Sequence, residues 1–354
     1  MDQRQYGQAE ELFRRAVQLR QQGPAGQEAA DFVPDAEYSA AVDGYFRSLI
    51  LGAGDPTDAG NWRPQRLDRV LWEGEQFVAT PYAPGVLLRM AEAKLRGGDV
   101  NAARDLSRQA ADKAWNHPRL AVEVLLRIYL LLGEEEVSAY CRRRLTEEPG
   151  SLTSHLVLFH LAQIQDKYPE AISVIDTCIR LCGPDTPSGI EHTIRKADLL
   201  TIAHKKTSDK TYLGLAIAVY ESLRSKMPKN SSVLNNLAYM LAQSDQRLDE
   251  ALAYAKAAVE QSPEVAGHHD TYAYVLYKNA RHTEAAEALA VAIQLYQAGG
   301  AVPAEVYEHL GMVNEALGHR NQALAAYRRA LEADGDHTPD TVRQRINSAI
   351  QRLQ

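Results

Sequence analysis

Between Ser231 and Asp336 the small and apolar residues fall in one helix-turn-helix pattern written three times. Alanines stand at Ala251, Ala285 and Ala323, each followed seven residues on by another, at Ala258, Ala292 and Ala330. Ahead of each lies an apolar or aromatic residue followed by a small one: Leu237-Ala238, Tyr272-Ala273 and Leu310-Gly311. Where two antiparallel helices cross, only Gly, Ala or Ser lets the backbones approach, so small residues must recur at the crossing. Larger ones, such as Leu237, Tyr254, Leu289 and Tyr327, fill the gaps between successive hairpins. No single hairpin buries both its faces, so the pattern predicts a stack of several copies with a capped end.

The first alanines of the copies recur 34 and then 38 residues apart, the excess falling around residues 296–300. A period near 34 is that of a tetratricopeptide repeat. The segments LNNLAYMLAQSDQRLDEALAYAKAAVEQSP, DTYAYVLYKNARHTEAAEALAVAIQL and YEHLGMVNEALGHRNQALAAYRRALEAD resemble such repeats, of the kind common in bacterial proteins. The resemblance implies an all-α fold, a right-handed superhelical solenoid of antiparallel helix hairpins.

The pattern continues less regularly toward the N-terminus. Residues 1–22 read as a half repeat, with Ala9, Phe13 and Ala16 at second-helix spacing, Tyr6 a turn ahead and Gly23-Pro24 ending it. A first helix to partner it is missing, so the reading expects a chain continued upstream and an open apolar face. Residues 25–83 predict an irregular pair of helices, over about 36–51 and 65–79, joined by a long loop whose Trp62 packs back on the stack. Residues 84–229 predict degenerate hairpins over 84–118, 119–149, 151–183 and 187–229, the last with a turn, AHKKTSDKTYLG, several residues too long. Residues 231–336 hold the three clear repeats. After Thr338-Pro339, a good helix start, residues 338–354 predict a capping helix whose stripe is Val342, Ile346, Ala349, Ile350 and Leu353.

Composition narrows the function. At 45% hydrophobic and 24% charged over 354 residues the chain has the profile of a globular protein with a large core. A net charge of −7 argues against general affinity for nucleic acid, which needs concentrated positive charge. The run Arg142–Arg144 has a local explanation, since Glu134–Glu136 open the same helix and both ends complement its dipole. No stretch approaches the ~18 apolar residues of a membrane span, and the first twenty residues are charged throughout. Three cysteines, Cys141, Cys178 and Cys182, cannot all pair, which fits a reducing compartment or plain burial. The cytoplasm is favoured, and the cell envelope stays open if the chain is a piece of a longer one.

Candidate chemistry is sparse. Gly52-Ala53-Gly54 lacks the third glycine of a phosphate loop, Thr57 standing there, and follows a helix rather than a strand. Among eleven histidines, the adjacent His268 and His269 point about 100° apart and do not chelate as i, i+4 pairs do. Cys178 and Cys182 lie one turn apart, but Cys178 holds the small-residue position of its hairpin. Asp249 and Glu250 open a second helix, where negative charge is favourable. No catalytic, cofactor-binding or metal site is expected, and the chain reads as noncatalytic.

In the fold that the resemblance implies, the first helix of each hairpin lines a concave groove. Carried onto this sequence, those positions are Asn235, Tyr239, Ala242 and Gln243; Asp270, Tyr274, Tyr277 and Lys278; and Glu308, Met312 and Glu315. Upstream they read Leu88, Glu92, Leu95 and Arg96; Glu123, Arg127 and Leu130; Leu156, His160 and Gln163; and Thr201, His204 and Lys205. Amide, phenol and thioether groups suit an extended peptide or a partner helix, although Tyr274 and Tyr277 fit packing between hairpins equally well. Asp270, Glu308 and Glu315 oppose a carboxylate clamp and favour a basic or neutral segment at the C-terminal end. The expected function is a scaffold that holds a protein segment of unknown identity within a larger assembly. Two other readings stand beside it: an accessory region of a longer enzyme or envelope-polysaccharide system, and self-association through the open N-terminal helix.

Overall fold

The computed structural model describes residues 36–58, 61–80, 82–333 and 340–354. The half repeat expected over 1–22 and the helix start at Thr338-Pro339 lie outside them. Among the described residues there are seventeen α-helices, one 3-10 turn and no strand. The fold is all-α, as the pattern predicts.

The chain forms two compact units, Met1–Gln165 and Asp166–Gln354. The first holds α1 (Ala36–Gly52), α2 (Gln65–Gly74), a 3-10 turn (Glu75–Phe77), α3 (Ala83–Arg96), α4 (Val100–Ala114), α5 (Pro118–Leu132), α6 (Glu134–Glu147) and α7 (Leu152–Ile164). The second holds α8 (Tyr168–Cys182), α9 (Pro187–Thr207), α10 (Lys210–Lys226), α11 (Ser231–Gln243), α12 (Leu248–Gln261), α13 (Ala266–Lys278), α14 (His282–Gly299), α15 (Ala304–Ala316), α16 (Arg320–Ala333) and α17 (Asp340–Leu353). The division falls inside the turn of the hairpin expected over 151–183.

Helix ends follow from local chemistry. Asp99, Ser151, Thr186, Asp209 and Asn230 cap the following helices by accepting a hydrogen bond from a backbone N–H two or three residues on. Four hairpin turns share one closure, a left-handed residue with a bond that reaches back five residues. The left-handed residues are Gly98, Asp245, Ala280 and Gly318. The bonds run from Asp99 N to Lys94 O, Gln246 N to Leu241 O, Arg281 N to Leu276 O and His319 N to Asn314 O, at 2.8–3.2 Å. The long turn expected after residue 202 is instead helix. α9 runs to Thr207, Ser208 takes the left-handed conformation at φ 58°, and Asp209 caps α10 at once. The excess near 296–300 is likewise helical, since α14 extends to Gly299 and Gly300 ends it at φ 133°.

The crossing alanines do what close packing requires. Ala251, Ala258, Ala285, Ala292, Ala323 and Ala330 are fully buried, with Leu237, Leu289 and Tyr327 packed beside them. The first unit has its own core around Phe46, Leu49, Leu87 and Leu125, against which half-buried Trp62 packs. Cys178 is fully buried on α8, and burial pushes its thiol up to about 12, that of an inert core group. At the C-terminal end, Val342, Ile346 and Ala349 of α17 close a small core with Ala323, Tyr327 and Ala330 of α16. Gln344, Asn347 and Gln351 face outward.

Candidate functional site

In the second unit α11 packs on α13 and α13 on α15, so the first helices of successive hairpins stand side by side. This brings the groove candidates of three hairpins together. The Tyr239 and Tyr274 rings lie 5.4 Å apart, and those of Tyr274 and Tyr277 lie stacked at 6.5 Å. Gln243 donates to the Tyr239 hydroxyl at 2.9 Å. Lys278, at the end of α13, pairs with Asp245 in the turn of the preceding hairpin, its ammonium 6.0 Å from the Tyr274 ring centre. Met312 is half-buried beside the cores of two neighbouring hairpin layers. Asn235 donates to Asn236, while its own side-chain carbonyl oxygen is buried without a hydrogen-bond partner.

Burial sorts these ten residues. Tyr274 and Glu308 are buried, at 6% and 2% exposed. Asn235, Tyr239, Gln243, Asp270, Tyr277, Lys278, Met312 and Glu315 are half-buried and keep some surface. Upstream, Leu88 is a core residue of the first unit rather than a surface one. Lys205 is exposed and reaches the same cluster.

Four residues absent from the sequence-based set prove central. Glu305, on the first turn of α15, accepts from Tyr239 at 2.8 Å and from Lys205 at 2.7 Å. His309, one turn further along, places Nδ1 2.8 Å from Asp270 and stacks on Tyr274 at 4.7 Å between ring centres. Arg345 of α17 donates twice to Glu308, at 2.5 and 2.9 Å, and one heptad on Arg352 donates to Glu315 at 3.1 Å. Burial works against the charged His309 ring, but Asp270, backed by Glu305 and Glu308, outweighs it and raises the imidazole above its ordinary value. Burial also raises the Glu305 carboxyl, yet His309, Lys205 and Tyr239 together bring it down to about 2. Burial and the neighbouring Glu305 carboxylate push the Tyr239 phenol well up, so it stays a neutral donor. Legible signals existed for these groups. Glu305 and His309 are one turn apart, and the seven-residue interval of Glu308 and Glu315 is repeated by Arg345 and Arg352.

The first unit carries a second charged cluster on α1, α3 and α5. Arg89 grips both Asp43 oxygens at 2.7 and 2.8 Å and also reaches Glu92, while Arg127 adds a third bond to Asp43 at 3.0 Å. Burial raises the Asp43 carboxyl, but the two guanidiniums outweigh it, and the group titrates below its ordinary value. Leu130, one turn from Arg127, is 80% exposed. Among the described residues no three His, Cys, Asp or Glu side chains are placed to hold a metal ion, and no helix is long and apolar enough to cross a membrane.

Antiparallel hairpins crossing on buried alanines, with their first helices side by side, define a solenoid of the helical-repeat class. Residues 304–337 match the tetratricopeptide repeat family, so the chain carries a tetratricopeptide repeat there. No curated protein matches it. Many solved structures resemble it in fold. A tetratricopeptide repeat protein from Parabacteroides merdae superposes with a TM-score of 0.50 at 11% identity, over 82% of this chain and 99% of that one. Yeast Tom70 gives 0.47 at 14% identity, over 99% of this chain and 72% of its own. A tetratricopeptide repeat protein from Thermus thermophilus gives 0.43 at 20% identity, over 56% and 99%. Proteins of the tetratricopeptide repeat family are in general noncatalytic scaffolds for protein interaction.

Proposed function

We propose that the protein is a noncatalytic scaffold whose second unit takes a protein segment along the first helices α11, α13 and α15, within a larger assembly. The observation that carries this reading is the side-by-side placement of half-buried Asn235, Gln243, Tyr277, Lys278, Met312 and Glu315 on those helices. Amides, a phenol, an ammonium and a thioether on rigid helices offer hydrogen bonds and apolar contact at small entropic cost. The unpartnered Asn235 oxygen supports the same reading, because a buried acceptor without a donor is costly and a partner's N–H would satisfy it. Tyr274 and Glu308, being buried, support the groove from behind rather than touch a partner. Acidic groups at the C-terminal end already hold basic partners from this chain, Arg345 and Arg352, which is the complement their charge demands.

The test compares the wild-type chain with a variant carrying Asn235→Ala, Gln243→Ala, Tyr277→Ala and Lys278→Ala, with helicity checked by circular dichroism. Co-purifying proteins identified with the wild type are expected to be lost from the variant. An unchanged set on a folded variant would overturn the groove assignment.

A further inference from the structure

The concave face of the second unit is shut by its own side chains, and we infer that this closure is a proton-dependent latch with His309 as its switch. The closure belongs to the chain itself; its bearing on a partner rests on the groove reading proposed above. Two contacts show how far the latch reaches. Lys205 of α9 meets Glu305 of α15 from 100 residues away in sequence, and Tyr239 of α11 meets it from 66. Helices belonging to different hairpins are thus tied across the groove through one carboxylate.

The charges around that carboxylate balance only when His309 is protonated. α13 contributes Asp270, α15 contributes Glu305 and Glu308, and these three carboxylates meet three cations: His309, Lys205 from α9 and Arg345 from α17. Two further ion pairs stand beside the cluster, Lys278 with Asp245 and Arg352 with Glu315, each neutral as a pair; among the phenols, Tyr239 of α11, Tyr274 of α13 and Tyr296 of α14 face it, with Tyr327 of α16 behind Glu308. All four are raised above the ordinary phenol value and remain neutral through the histidine range. Without the proton, one carboxylate has no countercharge. His309 is 4% and Glu308 2% exposed, so solvent screens the imbalance poorly.

Losing the proton need not break the bond to Asp270, because a neutral ring can keep its Nδ1 hydrogen. What goes is the charge, and the cluster regains solvation by parting Glu305 from Lys205 and Tyr239. The sign is fixed by the surroundings. The cluster raises the imidazole above its ordinary value, so the closed form holds below the ordinary histidine range and weakens as pH rises through the raised value. An open groove would then expose Tyr239 and the unpartnered Asn235 oxygen.

Hydrogen exchange on the full chain tests this, read over α11 and α15 from about pH 6 to about pH 9, across the histidine range, and corrected for intrinsic rates. Wild-type protection in those two helices should fall with rising pH, while α4 and α6 stay unchanged. His309→Gln should be open at every pH. Asp270→Asn removes the carboxylate that His309 balances while keeping the Glu305 tie, and should lose the pH response while leaving α15 protected at the alkaline end, so the idea stays testable if the first variant folds poorly. Flat wild-type protection, or an undiminished pH response in Asp270→Asn, overturns the latch. Neither outcome depends on a partner, so loss of the latch and loss of the groove reading are read separately.

Discussion

Replacing Gly311 with alanine sets two opposing effects against each other. Gly311 lies in α15 where that helix crosses α16, and a methyl group there would sit 2.5, 2.6 and 2.8 Å from three ring carbons of Tyr327. Ordinary carbon contacts are about 3.5–4.0 Å, so the ring must retreat by about 1 Å. It has little room, being 2% exposed, and its hydroxyl donates to Glu315 at 3.0 Å. Helix propensity alone favours alanine by about 1 kcal/mol. Overpacking costs about 1–3 kcal/mol, and losing the Tyr327–Glu315 bond costs about 1 kcal/mol more. The sum is a net loss of about 1–3 kcal/mol, most of it steric. Urea unfolding followed by circular dichroism should show the transition that contains α15 and α16 moved to lower denaturant at unchanged slope. Adding Tyr327→Leu should recover part of the loss, because the two substitutions share one contact and cannot be additive. A Gly311→Ala protein about 1 kcal/mol more stable than wild type would refute the close-packing argument, leaving propensity alone in charge.

Ala280 is exposed and left-handed at φ 58°, so Ala280→Gly should stabilise by about 0.5–1 kcal/mol in urea; a loss would mean that the turn is not strained. Arg345→Ala removes two charge-assisted bonds from a Glu308 side chain only 3% exposed. It should cost about 1.5–3 kcal/mol, toward the lower value because the arginine itself is largely exposed. The pair Glu308→Gln with Arg345→Met should restore most of it, which a double-mutant cycle measures. Glu305 is depressed to about 2, so its contribution is present above its unfolded value and is lost as pH falls toward about 2. Acid unfolding of Glu305→Gln should therefore show a shallower pH dependence than wild type. Gly189→Ala would place a methyl 1.9 Å from the Gly183 carbonyl oxygen; backbone cannot yield as a side chain does, so a loss above about 3 kcal/mol is expected in the same assay.

Much of the fold was legible because close packing writes itself into residue size. The alanine positions of the three clear copies are the buried crossings, and the stripe of Val342, Ile346 and Ala349 is the buried side of the capping helix. Turn lengths were less legible. The stretch AHKKTSDKTYLG reads as a turn several residues too long, yet α9 continues to Thr207, and Lys205 and Lys206 each find a carboxylate, Glu305 and Asp166. The candidate groove could be written from sequence as a set of positions and not as a chemical state. Sequence spacing places Tyr239, Tyr274 and Glu308 on first helices, but it does not say which are covered.

What the sequence by itself determined is periodic: the all-α class, the hairpin repeat, the small residues at the crossings and the amphipathic cap. These depend on contacts within a helix or between neighbours in the chain, which a 34-residue pattern encodes directly. Only the tertiary structure decided that Glu305 ties these helices together and that His309 sits against Asp270 among them. Those properties depend on Lys205, Tyr239, Asp270, Glu305 and Arg345 meeting from α9, α11, α13, α15 and α17. Charges from residues so far apart in sequence act on one another only once folding has brought them within a few ångströms and removed the water between them.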